Sequence, residues 1–149
     1  MENPFDDNYF MKRALQEAEA AYEKGEVPVG AIIVVQHRII ARAHNLTEQL
    51  NDVTAHAEMQ AITAAANFLG GKYLSECTMY VTLEPCQMCA GALYWSQISK
   101  IVYGASDVDR GFLAVNAKLH PKTQVVGGVM DQEAMDLLKS FFIQKRNLN

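Results

Sequence analysis

The stretch "CTMYVTLEPCQMCAGALYWSQISKIVYGA", residues 77–105, decides the fold. Its first seven residues are β-branched, aromatic and apolar, and read as a strand. "CQMCAGALYWSQI" follows Pro85 and reads as a helix. "KIVYGA" is a second strand. Strand, helix and strand with short joints form a βαβ crossover, so the two strands are expected to be parallel. The helix then starts at the carboxyl end of the first strand, where ligand sites form in such sheets. Cys86 and Cys89 sit at that start, spaced i, i+3, with both sulfurs on one face.

Working outward, apolar residues recur at helical spacing from Met11 through Ala14, Leu15, Ala18, Ala21 and Tyr22. Asp6 or Asp7 is the expected cap and Gly25 the stop. "VGAIIVV" (29–35) and "RIIARAH" (38–44) are strands, with Gln36–His37 as a tight hairpin turn lacking the favoured Gly or Asn. "TAHAEMQAITAAANFLGG" (54–71) reads as a helix capped by Thr54 and stopped at Gly70–Gly71. Residues 106–122 read as loop with a short helix, and "TQVVGGV" (123–129) as a weak strand. The tail from Asp131 to Arg146 reads as a helix with Ala134, Leu137, Leu138, Phe141 and Phe142 packed on the sheet. The expected class is α/β, one domain over residues 1–149, with a five-stranded mixed sheet between helices.

The chain has 149 residues, half of them hydrophobic, and a formal charge of −4. No apolar run approaches the ~20 residues of a membrane helix. The acidic start "MENPFDDNYF" is unlike a secretory signal, so the cytoplasm is expected. Three cysteines, an odd number without an export signal, argue against a disulfide framework. The negative charge argues mildly against a nucleic-acid partner, although a local basic patch is compatible with it.

"HAE", His56–Glu58, sets two polar side chains in the first turn of its helix. Mid-helix, residues two apart point about 200° from each other. In a first turn both can bend around a target lying off the helix end. Each helix start carries free N–H groups and partial positive charge, which favours thiolates. One imidazole, two thiolates and a carboxylate can thus converge. One His and two Cys give three ligands, the number that leaves zinc a position for water. Zinc lowers the pKa of bound water towards ~7, and Glu58 is the obvious proton acceptor beside it. That chemistry suits hydrolysis at an electron-poor ring carbon bearing an amino group. Two other readings compete. The CxxC alone fits a thioredoxin-like redox pair. A closed structural Cys3His zinc site follows if Cys77 turns inward. His37, His44 and His120 show no ligand spacing and read as surface or loop residues; of Tyr94 and Trp95, at least one is expected in the core.

At these residues the sequence resembles the zinc-dependent nucleobase deaminase superfamily, with its H-x-E and P-C-x-x-C signature. The likeness runs over residues 9–146 and is nearest to the bacterial tRNA-specific adenosine deaminases. "EVPVGAIIV", His44–Asn45, "DVTAHAEMQAI", "TMYVTLEPCQMCAGAL", "IVYGASD" and Phe141–Phe142 carry it. The resemblance implies a three-layer α/β/α, cytidine-deaminase-like fold. It implies one Zn²⁺ held by His56, Cys86 and Cys89, with Glu58 shuttling protons. It implies that adenosine at the wobble position of a tRNA anticodon loop becomes inosine. Asn45 then bonds the flipped base, Val29, the Glu84 backbone and Asp107 line the pocket, and Lys145 and Arg146 contact phosphates. Asn45 also reads as a turn residue closing its strand. Lys145 and Arg146 also read as cations at a helix C-terminus. The resemblance implies a homodimer as well. Gln97 in "WSQI", Tyr94–Trp95, Phe112 within "DRGFLAVNAKLHPKTQ" and Ile143 depart from the tRNA enzymes, and Tyr94–Trp95 resembles guanine deaminases. The competing substrate is therefore a free nucleobase or nucleoside, guanine or cytosine. A zinc-stabilised binding module without turnover is the reading from another class.

Overall fold

Asp6 starts the first helix: its carboxylate accepts the Tyr9 N–H at 2.8 Å. Helix α1 (Asp7–Glu23) turns Phe10, Met11, Ala14, Leu15, Ala18 and Ala21 inward. Gly25 ends this stretch at φ +77°, the left-handed conformation only glycine adopts without strain. The computed structural model in which these features are seen describes residues 4–147.

Strands β1 (Gly30–Val35) and β2 (Arg38–His44) form the expected hairpin. Gln36 and His37 both take positive φ, 49° and 63°, as a two-residue primed turn demands. Helix α2 (Ala57–Leu69) follows, then β3 (Thr78–Leu83), α3 (Gln87–Ser96), β4 (Lys100–Ala105), β5 (Gln124–Val126) and α4 (Asp131–Asn147). The sheet order is β2-β1-β3-β4-β5. β1 runs antiparallel to both β2 and β3, whereas β3–β4 and β4–β5 are parallel. Four strands therefore point one way and β1 alone points back. The carboxyl ends of β2, β3 and β4 meet the start of β1 at one edge of the sheet.

Apolar side chains fill both faces of the sheet. Phe10, Met11, Ala14, Ile32, Tyr80, Val102 and Ala134 form one core under α1 and α4. Ala57, Ala61, Ala65, Ile33, Met79, Leu93 and Ile101 form the other, under α2 and α3. This is the α/β/α arrangement the sequence leads one to expect. Tyr22 links α1 to α4, with its hydroxyl 3.1 Å from Ser140 Oγ and its ring edge-on to Phe141.

Several expectations need correction. Thr54 does not cap α2. It belongs to a turn in which both its N–H and its hydroxyl donate to Asp52 Oδ1, and the cap residue is His56. Residues 106–122 contain turns but no helix; the Asp107 and Leu113 N–H groups bond to the buried Glu84 carboxylate and the Phe112 N–H to the Pro85 carbonyl. β5 keeps only three residues of the weak strand. Neither Tyr94 nor Trp95 is core: Tyr94 is half-buried against His120, and Trp95 is 77% exposed. Phe142 is also exposed; Ala134, Leu138 and Phe141 are the buried residues of the tail helix, with Met135 partly buried on the core.

Gly30 shows how tightly α1 lies on β1. A Cβ there would collide with the Ala14 carbonyl and the Ala18 backbone nitrogen. Backbone cannot retreat as a flexible side chain can. Gly30→Ala is expected to cost about 1–3 kcal/mol by overpacking, measured by urea unfolding; an unchanged midpoint would contradict this packing.

Candidate metal centre

The sheet edge where β2, β3 and β4 end carries a cavity of about 240 Å³. Val27 and Val29 reach it from the approach to β1, Asn45 and Thr47 from beyond β2, Leu83, Glu84 and Cys86 from the end of β3, and Asp107 and Arg110 from beyond β4. His56 and Glu58 enter from the start of α2.

His56 and Cys86 are both helix N-cap residues with extended backbone, and neither side chain makes a capping bond. Outside the helical φ/ψ, each is free to aim off the helix end. The two N-caps meet: His56 Nδ1 lies 3.7 Å from Cys86 Sγ and 3.5 Å from Cys89 Sγ. The three donor atoms lie within 4.8 Å of one another. Donors bound to zinc at ~2.0–2.1 Å (nitrogen) and ~2.3 Å (sulfur) with tetrahedral angles would be about 3.6 Å apart. One imidazole lone pair cannot accept from two thiols, but one metal ion satisfies all three donors. The residues present fit zinc, and they leave one side open.

Cys77 does not complete the set. It is fully buried in the core with Leu74 and Met79 and stands outside the donor group. All three cysteines are free. The Cys86 thiol falls to about 4 against the cost of burial, with a hydrogen bond from Cys89 the largest cause and His56 assisting. Cys89 shifts upward through that same bond and through its burial. The hydrogen bond to Cys86 raises His56. Glu58 is 4% exposed, and burial pushes its carboxyl up to about 7.

Residues 4–105 match the cytidine and deoxycytidylate deaminase zinc-binding region. The chain belongs to this deaminase family. It is 44% identical over 146 residues to a tRNA-specific adenosine deaminase of Bacillus subtilis, covering 94% of this chain and 91% of the relative. Among solved structures, one from work on A-to-I editing by tRNA:A34 deaminases superposes with a TM-score of 0.82 at 41% identity, covering 87% of this chain and 99% of the other. A guanine deaminase from Bacillus subtilis superposes with a TM-score of 0.66 at 38% identity, covering 77% of this chain and 71% of that one.

The deaminase brings most of the expected residues together. His56, Glu58, Cys86, Val29, Asn45, Glu84 and Asp107 line one cavity, and Cys89 lies buried beside it. Asn45 also closes its turn: Oδ1 accepts the Thr47 N–H at 3.4 Å, and Nδ2 donates to the Val27 carbonyl at 3.4 Å. One amide hydrogen and further oxygen lone-pair capacity remain for a ligand. Arg146 lines an adjoining groove along α4 rather than the cavity. Lys145 reaches neither, and its Nζ sits 5.6 Å from the centre of the Phe141 ring. His44 is not a plain surface residue either, since it bridges Glu17 and Lys24 at 3.0 Å each.

Sequence reasoning missed Val27, Thr47, Leu83 and Arg110 as lining residues. It also missed Glu26, which is fully buried and accepts the N–H groups of Glu48 and Gln49 at 3.0 and 2.7 Å. That carboxylate holds the loop after Asn45. A charge set against the apolar run "VPVGAIIVV" was the available signal.

The purified protein is expected to carry one zinc per chain by elemental analysis. Cys86→Ser and Cys89→Ser should each lose it, and Cys77→Ser should keep it. Loss of metal from the Cys77 variant would restore the closed four-ligand reading.

Proposed function

We propose that this deaminase removes the 6-amino group of adenosine at the wobble position of a tRNA anticodon, giving inosine. The observation that carries the reading is an open path. The cavity and the groove along α4 share Val27, Leu83 and Asp107 as lining. A base seated in the cavity thus stays connected to a strand running over the surface. Phe142 and Ile143 offer that strand apolar contact, and Lys139 and Arg146 offer it positive charge. A splayed nucleotide in an RNA loop is the ligand that needs such a path. The tRNA-specific relatives supporting this reading are 42–47% identical over 93–94% of the chain.

His56 through Nδ1, with Cys86 and Cys89, holds one Zn²⁺. Zinc in such a site lowers the pKa of water towards ~7 and so supplies a nucleophile at neutral pH. Glu58 does the proton work. Burial raises its carboxyl above the ordinary carboxylate range, which favours proton exchange there. Glu58 takes a proton from the attacking water and delivers it to N1 of adenine while C6 becomes tetrahedral. It then takes the proton of the new C6 hydroxyl and passes it to the amino nitrogen as the C6–N6 bond breaks and the C6 carbonyl forms. Adenosine and water become inosine and ammonia. Asn45 bonds the base, Val29 packs against it, and Asp107 and the Glu84 backbone line the mouth.

The reading includes a homodimer working in the cytoplasm. Phe68, Leu69, Tyr73 and Trp95, on and beside the α2–α3 layer, expose apolar surface suited to a second copy. No helix of the described residues is long and apolar enough to cross a membrane.

Incubation with an arginine tRNA and, separately, with free guanine, cytosine and adenosine tests the reading. Inosine in the tRNA with no small-molecule turnover is expected. The opposite pattern would transfer the assignment to a free-base deaminase. Glu58→Gln should lower kcat by about 10²–10⁴-fold while zinc content stays unchanged; undiminished turnover would remove Glu58 from the chemistry.

A further inference from the structure

Arg110 is the one Lys or Arg, among the described residues, that lines the cavity. Its side chain is exposed at the mouth and makes no hydrogen bond or ion pair with another described residue. The backbone beneath it, by contrast, is fixed. Glu84 is buried, and its two carboxylate oxygens accept the N–H groups of Asp107 at 3.1 Å and Leu113 at 3.0 Å. Asp107 Oδ1 accepts the Arg110 N–H at 2.9 Å. The Gly111 N–H donates to the Asp107 carbonyl at 2.9 Å, and the Phe112 N–H to the Pro85 carbonyl at 2.9 Å. Phe112 is buried next to Arg110 and meets the Tyr103 ring edge-on. Gly111 admits no side chain, because a Cβ would strike the Glu84 carboxylate and the Asp107 carbonyl.

An exposed arginine is ordinarily a solvated charge. This one stands on a clamped loop, at the rim of a cavity whose other charged lining groups, Glu58, Glu84 and Asp107, are acids. Arg110 lines the cavity but not the groove along α4, where Lys139 and Arg146 lie. A strand leaving the cavity by the groove meets those two cations; the rest of the rim offers Arg110. We propose that Arg110 is a substrate-binding residue that grips an RNA phosphate beside the nucleotide in the cavity, and that Glu84 positions it by clamping residues 107–113. This rests on the RNA-substrate reading above. The guanidinium suits a phosphate because its donors form a rigid fork. It also counters the repulsion that the Asp107 carboxylate beside it exerts on a polyanion.

The test compares wild type, Arg110→Gln and Arg110→Lys on an arginine-tRNA anticodon stem-loop with adenosine at the wobble position, across a salt series. Arg110→Gln should raise KM about three- to fivefold at low salt, the scale of one exposed ion pair, with a smaller effect on kcat. Its log–log salt slope should be shallower than that of wild type by about 0.7, one released counterion on single-stranded nucleic acid. Arg110→Lys should recover most of that slope, and zinc content should not differ among the three. Equal KM and equal slopes in wild type and Arg110→Gln, with inosine formed by both, would overturn the proposal and leave the tRNA reading standing. Should wild type form no inosine and turn over a free base instead, the tRNA reading falls and the proposal falls with it.

Discussion

Two helices must begin at one point on the edge of one sheet, and the site depends on that meeting. His56 and Cys86 are the N-cap residues of α2 and α3, and their donor atoms stand 3.7 Å apart. Strand direction makes this possible. Because β1 alone runs against the others, β2, β3 and β4 finish on the same edge, and the segments that follow them converge. Ligands in open α/β sheets gather at such carboxyl ends. Here the rule covers the cavity in full: its lining comes from the ends of three strands, the approach to the fourth and the first turn of α2. The helix starts add partial positive charge, which favours the thiolates a cation needs.

Buried carboxylates then fix the walls. Glu26 accepts two N–H groups from the loop after Asn45, and Glu84 accepts two from the loop after β4. A buried carboxylate is costly unless its oxygens are bonded. Each therefore holds its loop in one geometry, because displacement would leave a charge unpaired. Glu58 differs from both. Burial dominates its surroundings and lifts its carboxyl towards neutrality, as the proton-transfer role proposed for it requires. Three glutamates beside one cavity thus serve different ends, according to how many N–H groups face each.

Much of this was legible in the residues. The βαβ crossover followed from patterning over residues 77–105, and the donor set from "HAE" and "PCQMC". The misreadings share a physical origin. Capping preference pointed to Thr54, but the true caps of α2 and α3 are His56 and Cys86, residues positioned to hold a metal ion and not of capping type. Where a short helix is expected within residues 106–122, Gly111 and Val115 make i→i−4 bonds, but Glu84 and Pro85, distant in sequence, take the N–H groups of Asp107, Leu113 and Phe112. Phe142 has helical spacing with Leu138 but faces the groove, since spacing gives a stripe and not its width. Arg110 carried no signal at all; only the clamp on its loop brings it to the cavity rim.

X-ray absorption at the zinc edge of the metal-loaded protein tests the convergence most directly. The account predicts two sulfur neighbours at about 2.3 Å and two nitrogen or oxygen neighbours at about 2.0–2.1 Å, one of them exchangeable with solvent. A first shell of three or four sulfurs, or one with no exchangeable neighbour, would contradict it.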